Sequence, residues 1–156
     1  MKVSILTLAV SLAATGAFAA GPVAPADVVY EYGAVEASLS GVPGNPEEGL
    51  TVFTSRSMGN CVACHEVTTI DAAFPGTVGP ILDGVGSRWD EADLRGIVAN
   101  AKMMYEGTVM PAFYKTDGFI RPGDGYTGNA ADELEPVLSA QQIEDVVAFL
   151  LTLTDD

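Results

Sequence analysis

The short stretch GNCVACHEV, residues 59–67, concentrates the side chains of this sequence best suited to bind a metal or cofactor. It contains both cysteines, Cys61 and Cys64, and the only histidine, His65. A disulfide between the two cysteines would close a very short loop and would restrict the unfolded chain little. A zinc site would lack a second Cys/His pair to complete its tetrahedron. A thioredoxin-like redox pair needs a βαβ setting, which the surrounding sequence does not show.

The spacing C-x-x-C-H is the attachment motif of haem c. Cys61 and Cys64 lie about one helical turn apart, so both thiols can bond to the two vinyl groups of one haem. His65 follows directly and can bind the iron from the proximal side. The motif therefore predicts one covalently bound haem c, with a chance match or an unmodified redox pair as the alternative.

The N-terminus has the features of an export signal. Residues 1–19 contain one lysine, a short apolar run and an A-x-A sequence at residues 17–19, which is typical of a cleaved signal peptide. A retained N-terminal anchor is the alternative. No later stretch approaches the roughly 18 consecutive apolar residues of a membrane span. We therefore expect an exported, periplasmic protein without a membrane span.

The charge of the expected mature chain is strongly acidic. Without residues 1–19 it has six basic residues against 21 acidic ones, a net charge of −15. Such a surface disfavours binding to nucleic acid and to anionic membranes, because both require Lys or Arg to neutralise phosphate. It favours a basic partner and a salt-sensitive encounter, although a solvated acidic face would have the same composition.

A second axial ligand for the iron must come from outside the C-x-x-C-H motif, and a methionine thioether is the expected donor. Met110 precedes Pro111, which disfavours helix at Met110 and keeps it extended. A methionine on a stiff loop can point at the iron without belonging to a helix face. We therefore predict Met110 as the distal ligand.

Other donors remain open as alternatives to Met110. Met58 lies only three residues before Cys61, on the approach to the proximal side. Met104 continues the apolar face of a predicted helix and is expected in the core. The remaining candidates are Met103, Lys102, Lys115 or an open distal position.

Three helices are predicted to surround the motif. The first begins with Asn45 as N-cap and Pro46 at its first position and extends to about Ser57, with Gly49 inside it. Its apolar face is predicted to contain Leu50 and Phe53. The second begins near Asp90, with an i,i+4 pair between Glu91 and Arg95. Its apolar residues are Leu94, Ile97, Val98 and Ala101.

The last helix begins at Ser139, which forms a capping box with Gln142. Glu144 and Asp145 are predicted to face solvent near the positive N-terminus of this helix. Its apolar stripe contains Ile143, Val146, Val147, Phe149, Leu150 and Leu153. Residues 20–44 form an N-terminal extension, expected to be extended in part and to bind a partner. Residues 45–156 form the haem domain.

These features together resemble the class I cytochrome c fold: an early C-x-x-C-H, a later Met-Pro and an amphipathic C-terminal helix. Within that group the chain is similar to the SoxX family, the monohaem cytochrome subunits of SoxAX complexes in sulfur oxidation. The resemblance rests on LSGVPGNPEEG, GNCVACHEV, GPILDGVGSRWDEADLRGIV, TVMPAFY and LSAQQIEDVVAFLLTL. The acidic stretch NAADELEP, around Asp132, and the stretch MMYEGTV depart from the family pattern.

The resemblance implies a mainly α fold of short helices and long loops around one haem. It implies that His65 and Met110 bind the iron and that the Pro80 carbonyl accepts a hydrogen bond from His65 Nδ1. Arg88 and Trp89 would contact a haem propionate, or else form an ordinary surface pair. Gly49 and Phe53 would meet Phe149 where the first and last helices cross.

The resemblance also implies partners. In SoxAX the catalytic cysteine belongs to SoxA, a haem subunit that joins thiosulfate to a cysteine of the carrier SoxYZ. This chain would have no catalytic residue and would pass the released electrons to a soluble cytochrome c. A free-standing diffusible cytochrome and a haem sensor with an open distal site are the alternatives.

Overall fold

The computed structural model describes residues 21–120, 122–123, 127–131 and 133–155. The predicted signal peptide and Asp132 of the acidic loop lie outside these residues. Within them the chain is mainly helical, as predicted, and β structure is limited to one bridge between Glu31 and Ala34. The α-helices are α1 (Pro46–Thr54), α2 (Val85–Arg88), α3 (Glu91–Asn100) and α4 (Ala140–Leu151). Short 3-10 helices cover Pro25–Asp27, Cys61–Ala63 and Ala101–Met103.

Helix α1 begins where the sequence predicts and ends earlier. The Asn45 side chain accepts a hydrogen bond from the Glu47 amide at 2.9 Å, which satisfies one of the free N–H groups of the first turn. The helix ends at Thr54 and not at Ser57, because the chain turns back and the Gly59 amide bonds to the Val52 carbonyl at 3.2 Å. This turn leads directly into the cysteine motif.

The predicted apolar face of α1 was wrong at one position. Leu50 is 38% exposed, whereas Val52 and Phe53 are buried. The face that packs against α4 is centred on Gly49 and Phe53, as the family resemblance implies. The ring centroids of Phe53 and Phe149 lie 5.3 Å apart.

Gly49 permits the close approach of α1 to α4. A Cβ atom at this position would lie 2.7 Å from the Cβ of Phe149 and closer still to the Asp145 carbonyl oxygen. Such a contact cannot be relieved without moving one helix, because the obstructing atoms belong to or adjoin the backbone. Glycine inside a helix costs about 1 kcal/mol relative to alanine, and here that loss is offset by the packing of the two helices.

Helix α4 carries the capping box that the sequence predicts. The Ser139 hydroxyl accepts from the Gln142 amide, and the Gln142 side chain accepts from the Ser139 amide at 2.9 Å. Most apolar residues of this helix are buried, with Ile143, Val146 and Val147 among the least exposed side chains described. Together with Phe53 they form the centre of the core. Leu153 of the predicted stripe lies beyond the end of the helix and is half-buried.

The prediction that Glu144 and Asp145 face solvent was wrong. Glu144 is 3% and Asp145 is 6% exposed. Glu144 binds the guanidinium of Arg95 and accepts from the Leu39 amide at 2.6 Å. Asp145 accepts from the Asn45 amide at 2.8 Å and from Gln141. Buried carboxylates require such partners, and most of these come from distant parts of the chain.

The described part of the extension packs against the helical core. Val35 and Leu39 are buried, at 2% and 1% exposure. The Arg95 side chain donates to the Val35 carbonyl at 2.8 Å, and the Tyr114 hydroxyl donates to the Val23 carbonyl at 2.6 Å. Residues 21–44 are therefore held to the helices by buried side chains and hydrogen bonds.

Helix α3 follows its predicted N-cap, Asp90, whose carboxylate accepts from the Asp93 amide at 3.0 Å. Leu94, Val98 and Ala101 are buried as predicted, and the pair of Glu91 with Arg95 is present. The helix continues into the 3-10 turn Ala101–Met103. The segment that carries Met110 leaves from this turn.

Candidate haem site

The cysteine motif forms a single tight turn. Cys61–Ala63 is a 3-10 helix, and the amides of Cys64 and His65 both donate to the Cys61 carbonyl, at 3.0 and 2.9 Å. Residues three apart eclipse one another in this geometry, which places the side chains of Cys61 and Cys64 on one side. Asn60, in the left-handed conformation with φ 49°, starts the turn.

The imidazole of His65 is fixed by the loop that follows. Its Nδ1 lies 2.8 Å from the Pro80 carbonyl oxygen, the contact that the family resemblance implies. A carbonyl can only accept, so Nδ1 carries the hydrogen and Nε2 keeps its lone pair for a metal. This arrangement fixes the tautomer and raises the basicity of the ligand.

Gly79 makes room for this imidazole. A Cβ at Gly79 would lie 2.6 Å from the Nδ1 of His65, so any larger residue would displace the ring. The Gly79 amide also donates to the Cys64 carbonyl at 2.8 Å. Gly79 and Pro80 thus bind the loop to the motif at two points, the Cys64 carbonyl and the His65 imidazole.

A cavity of about 780 Å³ opens beside the motif, and Cys61, Cys64, His65 and Met110 all line it. This volume lies within the usual range for cofactor and ligand sites. The remaining lining is largely apolar and comes from α3, α4 and the segment after Met110. It includes Leu94, Ile97, Val98, Phe113, Val146 and Leu150.

The other methionines in the described residues lie away from this cavity. Met103 is 51% exposed, Met104 packs against Gly33, and Met58 accepts a weak hydrogen bond from Gln142 at 3.4 Å. Met110 is half-buried and packs against the core. Among the methionines described, Met110 is the one that lines the cavity.

The two candidate lysines are placed differently. The Lys102 ammonium donates to the Met110 carbonyl at 2.6 Å. The Lys115 ammonium lies over the Phe119 ring, 5.9 Å from its centroid, and its side chain does not line the cavity. Lys102 therefore contacts the backbone of the predicted ligand, a contact that no sequence pattern indicated.

Of the adjacent residues Arg88 and Trp89, only Trp89 lines the cavity. Trp89 lines the cavity, whereas exposed Arg88 donates to the Asp83 carbonyl at 2.7 Å and lies outside the lining. The Trp89 ring meets the Tyr105 ring edge to face, with centroids 6.5 Å apart. The contact of both residues with a haem propionate stays a prediction.

Tyr105 is a cavity residue that the sequence analysis missed. It lines the cavity while 44% exposed. Its amide donates to the Ala101 carbonyl at 2.8 Å. The sequence pattern could have indicated it, because Tyr105 lies four residues after Ala101 and continues the apolar spacing of α3.

Burial makes the Cys61 thiol a poor redox nucleophile. Burial raises the pKa of the Cys61 thiol to about 12, and a weaker contribution in the same direction comes from Cys64. The thiolate is the reactive form of cysteine. A Cys61 thiol that stays protonated at neutral pH is poorly suited to disulfide exchange.

The cavity and its donors fit one haem c. Two thiols stand one turn apart, an imidazole presents a free Nε2, a thioether lines the same space, and the walls are apolar. Each of these groups has the chemistry that covalent attachment and ligation of haem iron require.

Comparison with known proteins agrees with this geometry. The family model described as cytochrome c matches residues 46–154. The chain belongs to the cytochrome c family. As a cytochrome c it binds one haem c covalently, which confirms the cofactor prediction.

This cytochrome c is also similar to a protein of known structure. The chain is 65% identical to a chain of the "Crystal structure of SoxXA from P. pantotrophus", with a TM-score of 0.83. The match covers 86% of this cytochrome and 99% of that chain. It agrees with the resemblance to the SoxX family. The search of curated proteins gives no match. No helix in the described residues is long and apolar enough to cross a membrane.

Proposed function

We propose that this cytochrome c is the electron-transfer subunit, the SoxX counterpart, of a periplasmic SoxAX complex. The observation that carries the proposal is the match to a chain of SoxXA at 65% identity over nearly the whole of that chain. At this identity both the fold and the surface that meets a partner are expected to be shared. The partner is a haem subunit of the SoxA kind.

The reaction of the complex joins thiosulfate to a carrier cysteine of the SoxYZ kind. Thiosulfate and the carrier thiol form a new S–S bond, and one proton and two electrons are released. This chain supplies no thiol for that step, because haem attachment uses both Cys61 and Cys64. Bond formation therefore belongs to the partner, and this chain receives electrons and passes them to a soluble cytochrome c.

His65 and Met110 are the proposed iron ligands. The Pro80 carbonyl holds His65 Nδ1–H at 2.8 Å and leaves Nε2 free to bind. Met110 supports the assignment by lining the same cavity, while Met103 and Met104 lie elsewhere. Haem c, when bound, carries one electron by cycling between ferric and ferrous iron, and a Met ligand raises its reduction potential. A high potential suits an electron acceptor.

The rim of the cavity favours a subunit over a free diffusible carrier. Val78, Val109 and Tyr105 line the cavity and are 70%, 82% and 44% exposed. Exposed apolar side chains grouped at one site are typical of protein interfaces. A contact at this rim would bring the partner close to the haem.

Purification of the affinity-tagged full chain from its native periplasm tests this proposal. We expect a second haem subunit to co-purify in equal amount, and N-terminal sequencing to show that residues 1–19 are absent. Isolation of a lone cytochrome under the same conditions would contradict the assignment as a SoxX counterpart. That result would favour the diffusible carrier.

A further inference from the structure

We propose that Lys102 is a positioning residue that holds Met110 in place as an iron ligand. This inference rests on the proposed ligand set. The Lys102 ammonium donates to the Met110 carbonyl oxygen at 2.6 Å, across eight residues of chain. Lys102 acts through the backbone of Met110 and does not line the cavity.

The backbone of Met110 makes few hydrogen bonds, so the bond from Lys102 is important for its position. Pro111 has no N–H group, so the carbonyl is the one hydrogen-bonding group of the Met110–Pro111 peptide. Lys102 is the partner of that carbonyl in the described residues. On the other side of the residue, the Met110 amide donates to the Thr108 hydroxyl at 3.2 Å.

Both hydrogen bonds of Met110 lead back to the same short segment. Lys102 lies in the 3-10 turn after α3, and its amide donates to the Asn100 side chain at 3.3 Å. The Thr108 amide donates to the Tyr105 carbonyl at 3.3 Å. Residues 102–110 therefore form a closed loop, with Lys102 joining its two ends.

The donor of this hydrogen bond is a charged group. Lys102 lies in the 3-10 turn that follows α3, and its ammonium reaches the Met110 carbonyl. A hydrogen bond from a charged donor to a carbonyl is stronger than one between neutral groups. Without it, the Met110–Pro111 peptide would have no hydrogen bond in the described residues, and the backbone of Met110 would keep only the bond from its amide to the Thr108 hydroxyl.

Lys102→Leu in the haem-loaded full chain tests the proposal. Because one hydrogen bond from a charged group is lost, we expect the affinity of the ferric protein for added imidazole to rise roughly tenfold. The Met–iron charge-transfer band should weaken, and the haem content should stay the same. Lys102→Gln, which keeps a neutral donor, should give a smaller change and serves if the leucine variant folds poorly.

Two further variants make the result specific. Lys115→Leu removes a lysine that does not line the cavity, and it should leave the imidazole affinity unchanged. In a Met110→Ala background, Lys102→Leu should add nothing, because the two changes act on the same ligand.

Three outcomes distinguish failure of this inference from failure of the ligand assignment. If Met110→Ala abolishes the band while Lys102→Leu changes neither band nor affinity, the role of Lys102 is refuted and the ligand assignment stands. An equal effect of Lys115→Leu would also refute it. If Met110→Ala leaves the band intact, the ligand assignment fails and this inference fails with it.

Discussion

Arg95 and Glu144 form a buried ion pair that joins α3, α4 and the N-terminal extension. Nε of Arg95 lies 2.9 Å from Oε1 of Glu144, and each side chain is 3% exposed. The same carboxylate accepts from the Leu39 amide, and the same guanidinium donates to the Val35 carbonyl. Both charges are thus paired and also bound to the backbone of the extension.

Removing one charge of this pair should strongly destabilise the protein. For Glu144→Gln we expect the free energy of unfolding to fall by about 3–5 kcal/mol, because Arg95 stays buried without its main counter-charge. Glu91→Gln removes the other carboxylate bound to Arg95, whose side chain is 60% exposed, and should cost less than about 1 kcal/mol. Urea unfolding of the two holoproteins, followed by circular dichroism, measures the difference. Equal losses would contradict a special role for the buried pair.

This pair also marks the limit of what the sequence could predict. Sequence rules that consider only neighbouring residues predict that an acidic residue near a helix N-terminus faces solvent. They cannot predict that Glu144 binds Arg95 and the Leu39 amide, because these residues lie far away in the sequence. The capping box of Ser139 and Gln142 was predictable because all its groups lie within four residues. The C-x-x-C-H turn was predictable for the same reason.

The position of Leu50 shows a second limit. The spacing of apolar residues in α1 predicted which side of the helix faces the core. A nine-residue helix has too few turns for this spacing to identify that side reliably. The side of α1 that packs against α4 is the one with Gly49, because the missing side chain lets the backbone of α4 come close there. The sequence predicted that Gly49 and Phe53 meet Phe149 only through the family resemblance.

Substitution of Gly49 should separate helix propensity from packing. Gly49→Ala improves the helix propensity, but its Cβ would lie 2.7 Å from that of Phe149. We expect the variant to lose about 1–3 kcal/mol of unfolding free energy, as overpacked cores do. The control Leu50→Ala, on the partly exposed side of α1, should have a smaller effect. A stabilised Gly49→Ala variant would show that the two helices can move apart freely.

Loss of the Met110 thioether should change the iron coordination. We expect Met110→Ala to abolish the Met–iron charge-transfer band of the oxidised protein and to lower the reduction potential, since the Met ligand raises it. Met103→Ala removes a thioether that is 51% exposed and should alter neither. Absorption spectroscopy and a redox titration provide the measurement. Unchanged spectra for Met110→Ala would exclude Met110 as the ligand.

Stability should fall at high pH because of Tyr30. Burial raises the pKa of Tyr30 from 10.0 to about 12, because the ionised phenol would lose hydration. Between these values the unfolded chain releases this proton and the folded chain retains it, so unfolding becomes more favourable as pH rises. Below pH 10 the effect is absent.

Tyr30→Phe tests this pH dependence. The variant should lose less unfolding free energy than the wild type between pH 10 and 12, as measured by urea unfolding at a series of pH values. Tyr32→Phe removes the same hydroxyl from a fully exposed side chain and should follow the wild type. Parallel curves for Tyr30→Phe and the wild type would contradict the prediction.

This chain is proposed to receive the electrons released when its partner joins thiosulfate to the carrier. The most direct measurement adds thiosulfate to the reconstituted complex and follows the Met–iron charge-transfer band, which disappears when this chain is reduced. We predict that the band is lost only when both the haem partner and the carrier protein are present. Loss at the same rate without the partner, or a band that persists in the full complex, would contradict the claim.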